Sequence, residues 1–280
     1  MSLSATQRGI YGREFPPQKI PFQHLTHINY AFAKVDRQSG GVTLSDPWAD
    51  VEIHFEGDRW DEQGKNLYGC FKAIYLMKKK NRQQPFRDVV DWRMVVLPAT
   101  APEAESYVQL LHELRHGLEQ LALSKKRGRG QYQLTVAAPC GASNMSMLRI
   151  ADMDRVLDFW NLMAYDFAGS WDPVANHQAN LSGTESSNLP SVDKAVKHYL
   201  SHGVKASKLV VGMPLYGRAF ADTSGPGSAY SGVGKGSWED GIWDYKVLPQ
   251  PGAQEFNRYD LGASFSYDPP VDIVPLCHKD

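Results

Sequence analysis

The run 159–171, FWNLMAYDFAGSW, constrains the fold of this chain more than any other stretch. It reads as a short apolar strand that ends in a Tyr-Asp pair and breaks into a glycine-containing loop closed by a tryptophan. Barrel architectures present chemical groups in this way, because their functional sites sit where parallel strands give way to loops. The rest of the chain is consistent with that setting. Residues 25–35 (LTHINYAFAKV) form a β-rich apolar run, and 67–81 have helical spacing with a lysine cluster at the end, as a C-terminal turn prefers. Residues 91–97 (DWRMVVL) have the composition of a strand. Residues 103–123 predict an amphipathic helix with Tyr107, Leu110, Leu111, Leu114, Leu118 and Leu121 on one stripe. A strand over 133–138, a helix over 145–154, a strand over 159–165, a helix over 191–202 and a strand over 208–214 follow. Such alternation predicts an α/β fold with a parallel sheet or barrel. From Ala221 onward short Gly/Ser/Trp/Tyr-rich segments predict a small α+β portion.

A length of 280 residues suits one large domain, or one domain carrying an insertion. The formal net charge of -1 gives no reason to expect nucleic acid or an anionic membrane as partner. Three widely spaced cysteines, Cys70, Cys140 and Cys277, imply no disulfide framework. Residues 1–8 are polar and lack an apolar signal core, so the sequence as written predicts a cytoplasmic chain, or an extracellular one if its true N-terminus lies elsewhere. No apolar stretch has the length of a membrane span. Seven Trp, 13 Tyr and 11 Phe, several in Gly/Pro/Ser loops, suit a carbohydrate cleft, although most aromatic residues in any protein serve the core.

Three motifs point to other chemistry and do not carry it. His112-Glu113-Leu114-Arg115-His116 matches the zinc-protease pattern on a helix. Its two histidines lie opposite the leucine stripe, and nothing downstream supplies the third ligand that catalytic zinc needs, so no metal site is expected. The cluster 232–236 (GVGKG) fits neither the phosphate-loop nor the dinucleotide spacing, and the basic run 125–129 reads as a solvated turn.

Three segments fit one chemistry. They are Met163-Ala164-Tyr165-Asp166, the run 212–218 (GMPLYGR) delivering Tyr216 and Arg218, and the run 29–33 (NYAFA) with Tyr30 and Phe32. With the loop 168–171 these segments resemble glycoside hydrolase family 18, the chitinase family. MAYDFAGSW and GMPLYGRAF are close to family signatures, PATAPEAESYVQLLHELR matches the segment after the family's catalytic strand, and the likeness spans most of 9–268.

The resemblance implies a (β/α)8 TIM-type barrel over 1–220 and a small α+β insertion over 221–268, leaving 269–280 as a non-family tail. It implies retaining, substrate-assisted hydrolysis of β-1,4-linked N-acetylglucosamine polymers, an exception to the two-carboxylate scheme. The partner would be chitin or chitooligosaccharides, with no cofactor or metal, and the folded chain would be a monomer. Tyr165 would hydrogen-bond the developing ring and Asp166 would steady the acetamido group. Tyr30, Phe32, Met163, Tyr216 and Arg218 would line the cleft, and Trp171 would stack on a product-side sugar.

The sequence also departs from the family pattern. Counting back from Pro98, the family's general acid falls on Val96 and its assisting aspartate on Met94. Valine cannot deliver a proton, and a general acid is worth roughly 10²–10⁴ in rate. The Ser-x-Gly-Gly signature of the third strand is absent, 1–8 replace the first strand, and the eighth strand is missing after Asp268. The breaks are abrupt, as in a mis-spliced or mispredicted gene product, and the expected barrel is incomplete, with open edges. Two alternatives follow: a non-catalytic chitin-binding protein, and a defective chain without a stable fold.

Overall fold

The computed structural model describes residues 2–6, 10–31, 33–35, 41–64, 66–80, 87–90, 98–126, 128, 130, 132–183, 189–268 and 272–276. The chain divides into two compact units, Met1–Val95 and Val96–Asp280.

In the first unit β1 (Ser2–Thr6) and β2 (His27–Ala31) run parallel. The short strands β3 (Ala33–Val35) and β4 (Val42–Leu44) pair antiparallel, so the predicted run 25–35 contributes to both β2 and β3. Helix α1 (Gly69–Lys80) follows, and β5 (Arg87–Val90) then pairs parallel with β2, giving the order β1-β2-β5. One expectation is corrected here. The polar N-terminal stretch, read as replacing a strand, itself forms one, because ladder pairing is a property of the backbone. Strand β5 lies just upstream of the predicted 91–97, a run that lies outside the described residues together with Met94 and Val96.

The core of this unit is dictated by α1. Cys70, Ile74 and Met77 recur at helical spacing and pack on Ile20, Ile28 and Tyr30. The helix begins at Gly69, with φ at +66°, where a Cβ would strike the backbone of Asp50. It ends in Lys78-Lys79-Lys80, favourable at the negative end of the helix dipole.

In the second unit α2 (Ala101–Ser124) starts with a reciprocal cap. The Thr100 hydroxyl accepts from the Glu103 amide at 3.4 Å, and the Glu103 carboxylate accepts from the Ala99 amide at 2.7 Å. Its inward face is Ala104, Tyr107, Leu111 and Ala122, with Arg115 on the same stripe, whereas Leu114 and Leu121 are exposed. The predicted stripe is therefore rotated, and Arg115 supplies the reason. Its guanidinium donates to the carbonyls of Val156 and Tyr132 and pairs with Asp158 at 2.5 Å, turning that face inward.

Strand β6 (Thr135–Ala138) leads through the short helices α3 (Ala142–Met145) and α4 (Ile150–Asp154) to β7 (Phe159–Leu162). Helix α5 (Val192–Ser201), capped by Ser191, precedes β8 (Leu209–Val211). The three strands are parallel in the order β6-β7-β8, with Val136, Ala138, Trp160 and Leu162 buried. Tyr199 of α5 lies against Trp160, with ring centroids 5.3 Å apart, and donates its hydroxyl to the Pro139 carbonyl at 2.8 Å.

The remainder is antiparallel. Strands β9 (Tyr216–Arg218), β10 (Phe220–Ala221), β11 (Ile242–Asp244), β12 (Gln254–Arg258), β13 (Ala263–Asp268) and β14 (Asp272–Leu276) form a two-stranded ladder, β11-β9, and a sheet ordered β10-β14-β13-β12. Among the described residues after Ser201 there is no α-helix, only short 3-10 turns, so the predicted α+β portion is here all β. Residues read as a tail supply β14, which pairs with both β13 and β10.

Replacing Tyr199 with Phe leaves the buried Pro139 carbonyl without its donor. The expected cost is about 1–2 kcal/mol of unfolding free energy, read from urea titration of a cooperative transition.

Candidate active site

The site of the second unit is assembled where β7 ends. Gly212 accepts this geometry because it has no side chain. A Cβ there would lie 2.7 Å from the Leu162 carbonyl oxygen and 2.9 Å from the Tyr165 ring. Beyond Tyr165 the backbone of Asp166 enters the left-handed region, with φ at +58°. Aspartate tolerates that region better than most residues, and outliers of this kind cluster at functional sites.

What holds Asp166 there comes from β9. The Tyr216 hydroxyl donates to Asp166 Oδ1 at 2.6 Å, and Arg218 Nε donates to the same oxygen at 2.7 Å. Asp166 and Arg218 thus form a half-buried, charge-assisted pair. Burial raises the Tyr216 hydroxyl pKa well above its ordinary value, and the Asp166 charge adds to the effect. For Arg218, burial opposes the charge, but the hydrogen bond and charge of Asp166 outweigh it and raise the pKa. Tyr216 is therefore a neutral donor, and Arg218 a permanent cation, across the working pH range.

Trp171 completes the arrangement. Its ring, 58% exposed, is stacked by the Arg218 guanidinium, whose Cζ lies 4.6 Å from the ring centroid. Gly169 makes room for it, since a Cβ at 169 would come within 2.6 Å of the indole. The loop closes on itself where Asp172 Oδ2 accepts from the Gly169 amide at 2.9 Å, and Tyr230 donates to the Asp172 carbonyl at 2.8 Å. An exposed aromatic face, a fixed cation and a carboxylate whose Oδ2 takes no donor among the described residues can together grip a neutral polyhydroxylated ring and orient an amide N–H.

Of the residues predicted from sequence, Tyr165, Asp166, Trp171, Tyr216 and Arg218 come together here, and half-buried Met163 follows β7, its amide bonded to the Ala138 carbonyl at 2.8 Å. Tyr30 belongs to the first unit, where it is 4% exposed, packs against Phe71 and donates its hydroxyl to Asp50. Burial first, then that hydrogen bond, raises its pKa far above the ordinary value. Phe32 lies outside the described residues. His112 and His116 are exposed on α2, and among the described residues no His/Cys/Asp/Glu group could hold a metal.

Sequence reasoning missed Gln178. It is fully buried, and its Nε2 donates to the Tyr216 carbonyl at 2.6 Å, tying the loop to β9. The only signal was an unusually dense polar run, Asn176-His177-Gln178, which reads equally well as solvated loop. Beside it a cavity of about 150 Å³ is lined by Phe167, Asn176, His177, Asn180, Leu189 and Leu261 among others. His177 is 4% exposed, and neither ring nitrogen has a hydrogen-bond partner among the described residues.

The comparisons with known proteins bear on the family and the fold. Over nearly its whole length the chain superimposes on the catalytic domain of a psychrophilic chitinase B from Arthrobacter TAD20, with a TM-score of 0.84 and 20% identity, covering 99% of this chain and 85% of that one. It also matches a chitinase from Cycas revoluta solved with (GlcNAc)3, with a TM-score of 0.70, 22% identity and coverage of 98% and 86%. The fold is thus a TIM-barrel-like α/β fold of the kind these enzymes use. Chitinase 1 of Aphanocladium album is 38% identical over 304 aligned residues, covering 94% of this chain and 71% of the relative. The model of glycosyl hydrolases family 18 matches residues 88–273, and the chain belongs to that family.

Two outcomes follow. Gly169→Ala pushes the Trp171 indole off Arg218, expected as a change in tryptophan emission with the cooperative melt retained. His177 is held to a pKa of about 4, by burial first and then by the Arg258 charge, against 6.5 in the unfolded chain. The unfolded state therefore binds the extra proton between those values. Stability is complete above pH 6.5 and falls as pH drops toward 4, by about 3 kcal/mol in all. Unfolding titrations of wild type and His177→Gln across pH 4–8 should diverge by that amount.

Proposed function

We propose that this chain binds chitooligosaccharides at the Asp166–Tyr216–Arg218–Trp171 site, on a family 18 scaffold whose hydrolytic rate is far below that of an enzyme with a general acid. The observation that carries the reading is the shared Asp166 Oδ1. Both local donors are directed at one oxygen, leaving Oδ2 to accept from an acetamido N–H while the Trp171 face covers the sugar's C–H surface. Val96 in the acid's place supports weak or absent turnover, since proton donation to the leaving oxygen alone is worth roughly 10²–10⁴. In this reading 1–220 correspond to the (β/α)8 barrel portion, incomplete relative to the family, and 221–268 to its insertion, to which β14 is joined by pairing with β13, and the working form is a monomer.

Hydrolysis of β-1,4-N-acetylglucosamine linkages is the second reading, favoured by family membership and by the chitinase name of the Aphanocladium relative. One experiment separates the two. Chitotriose is titrated against intrinsic tryptophan fluorescence, and a fluorogenic chitobioside is followed at high protein concentration. Saturable quenching that Trp171→Ala abolishes, with a flat progress curve, is the expected result. Turnover at rates ordinary for a glycosidase would overturn it, and absence of any binding would remove the site's role altogether.

A further inference from the structure

A second aromatic feature lies outside that constellation. An open groove of about 370 Å³ is lined by Trp238, Trp243, Asp244, Lys246 and Gln250, together with small and aliphatic neighbours. Both indoles are held in place. Trp238 is 51% exposed, yet its Nε1 donates to Asp244 Oδ2 at 2.8 Å. The loop that carries it is tightly closed, with the Ser237 amide on the Ile242 carbonyl at 2.8 Å and the Ser237 hydroxyl accepting from the Asp244 amide at 2.9 Å. Gly236 is obligatory there, because a Cβ would strike the Glu239 and Ile242 backbone. Trp243 is half-buried and packs on Ala219 and Leu248, so the core orients it.

We infer that this groove is a second carbohydrate site, which takes an N-acetylglucosamine unit of the same polymer; the inference rests on the proposed function above. Two rigid indole surfaces offer apolar faces at low entropic cost. The polar edge carries one carboxylate and one ammonium, Lys246 Nζ lying 3.9 Å from Asp244 Oδ2, so a neutral ligand fits better than a charged one. Gln250 gives its Nε2 to the Val247 carbonyl at 2.7 Å and keeps its carbonyl oxygen as an acceptor for a hydroxyl or amide N–H. The groove is open, as a polymer running through it requires. Its placement is also apt: β11 pairs with β9, and Asp244 stands directly opposite Tyr216 in the ladder. A glycan held at Tyr216 and Arg218 and a glycan held by the two tryptophans are therefore supported by one pair of strands.

The test labels the full chain with 5-fluorotryptophan, assigns the Trp171, Trp238 and Trp243 resonances with single Trp→Phe variants, and titrates chitohexaose. Saturable shifts of Trp238 and Trp243 are expected, together with about tenfold weaker chitohexaose binding in Trp238→Ala, read at the Trp243 resonance. Trp238→Phe, which keeps a ring but loses the indole N–H, should fall between the two. If Trp171 shifts and Trp238 and Trp243 do not, the second site is wrong and the first stands. If none shifts, both readings fall. Shifts of Trp238 and Trp243 that cellohexaose reproduces equally would overturn the assignment to an N-acetylated sugar.

Discussion

The second unit's site depends on one carboxylate oxygen that receives two donors. Asp166 sits at the end of a parallel strand, whereas Tyr216 and Arg218 come from a strand in a separate antiparallel ladder. The shared oxygen is the side-chain tie between them. The bond to Arg218 also anchors the platform, because the guanidinium that pairs with Asp166 stacks on Trp171. Losing Asp166 would strand a half-buried cation and release the indole, a larger disturbance than the deletion of one contact. Gln178 reinforces the same junction from beneath by holding the Tyr216 carbonyl.

The two units build their cores differently. In the first, α1 provides the apolar surface and Tyr30 is absorbed into it, its hydroxyl satisfied by Asp50. A buried tyrosine on a strand is as good a core residue as a cleft residue, and only its hydrogen-bond partner distinguishes the roles. In the second unit the parallel strands bury alternate residues such as Trp160 and Leu162, and the cleft groups come from the loops and the neighbouring ladder. A parallel sheet positions side chains best where its strands stop.

The legible parts of the fold were those in which local chemistry and tertiary packing agree. The helix 191–202, with its serine cap and closing glycine, was found almost to the residue, and the strand leading toward Tyr165 starts where expected but stops at Leu162. Asp166, Trp171, Tyr216 and Arg218 were singled out by the likeness of their segments to family signatures, and the structure places them next to one another. The facing of α2 was not, since a leucine stripe outweighs an arginine in any hydrophobic count, yet Arg115 pays its desolvation through carbonyls more than 15 residues away in sequence. The strand at Ser2–Thr6 was missed because its five residues, SLSAT, carry only Leu3 and Ala5 as apolar positions, too short and weak an alternation to stand out. Gln178 was hidden because a buried amide and a solvated one look the same in a sequence.

The backbone of Asp166 has a further consequence. A left-handed conformation costs a non-glycine residue on the order of 1 kcal/mol or more, and glycine or asparagine would relieve much of it. Two terms therefore oppose one another at this position: the backbone alone favours glycine or asparagine, and the half-buried Arg218 guanidinium favours a carboxylate. A substitution that relaxes the turn also strands the cation, so the left-handed aspartate is held in place by its partner rather than by its own chain.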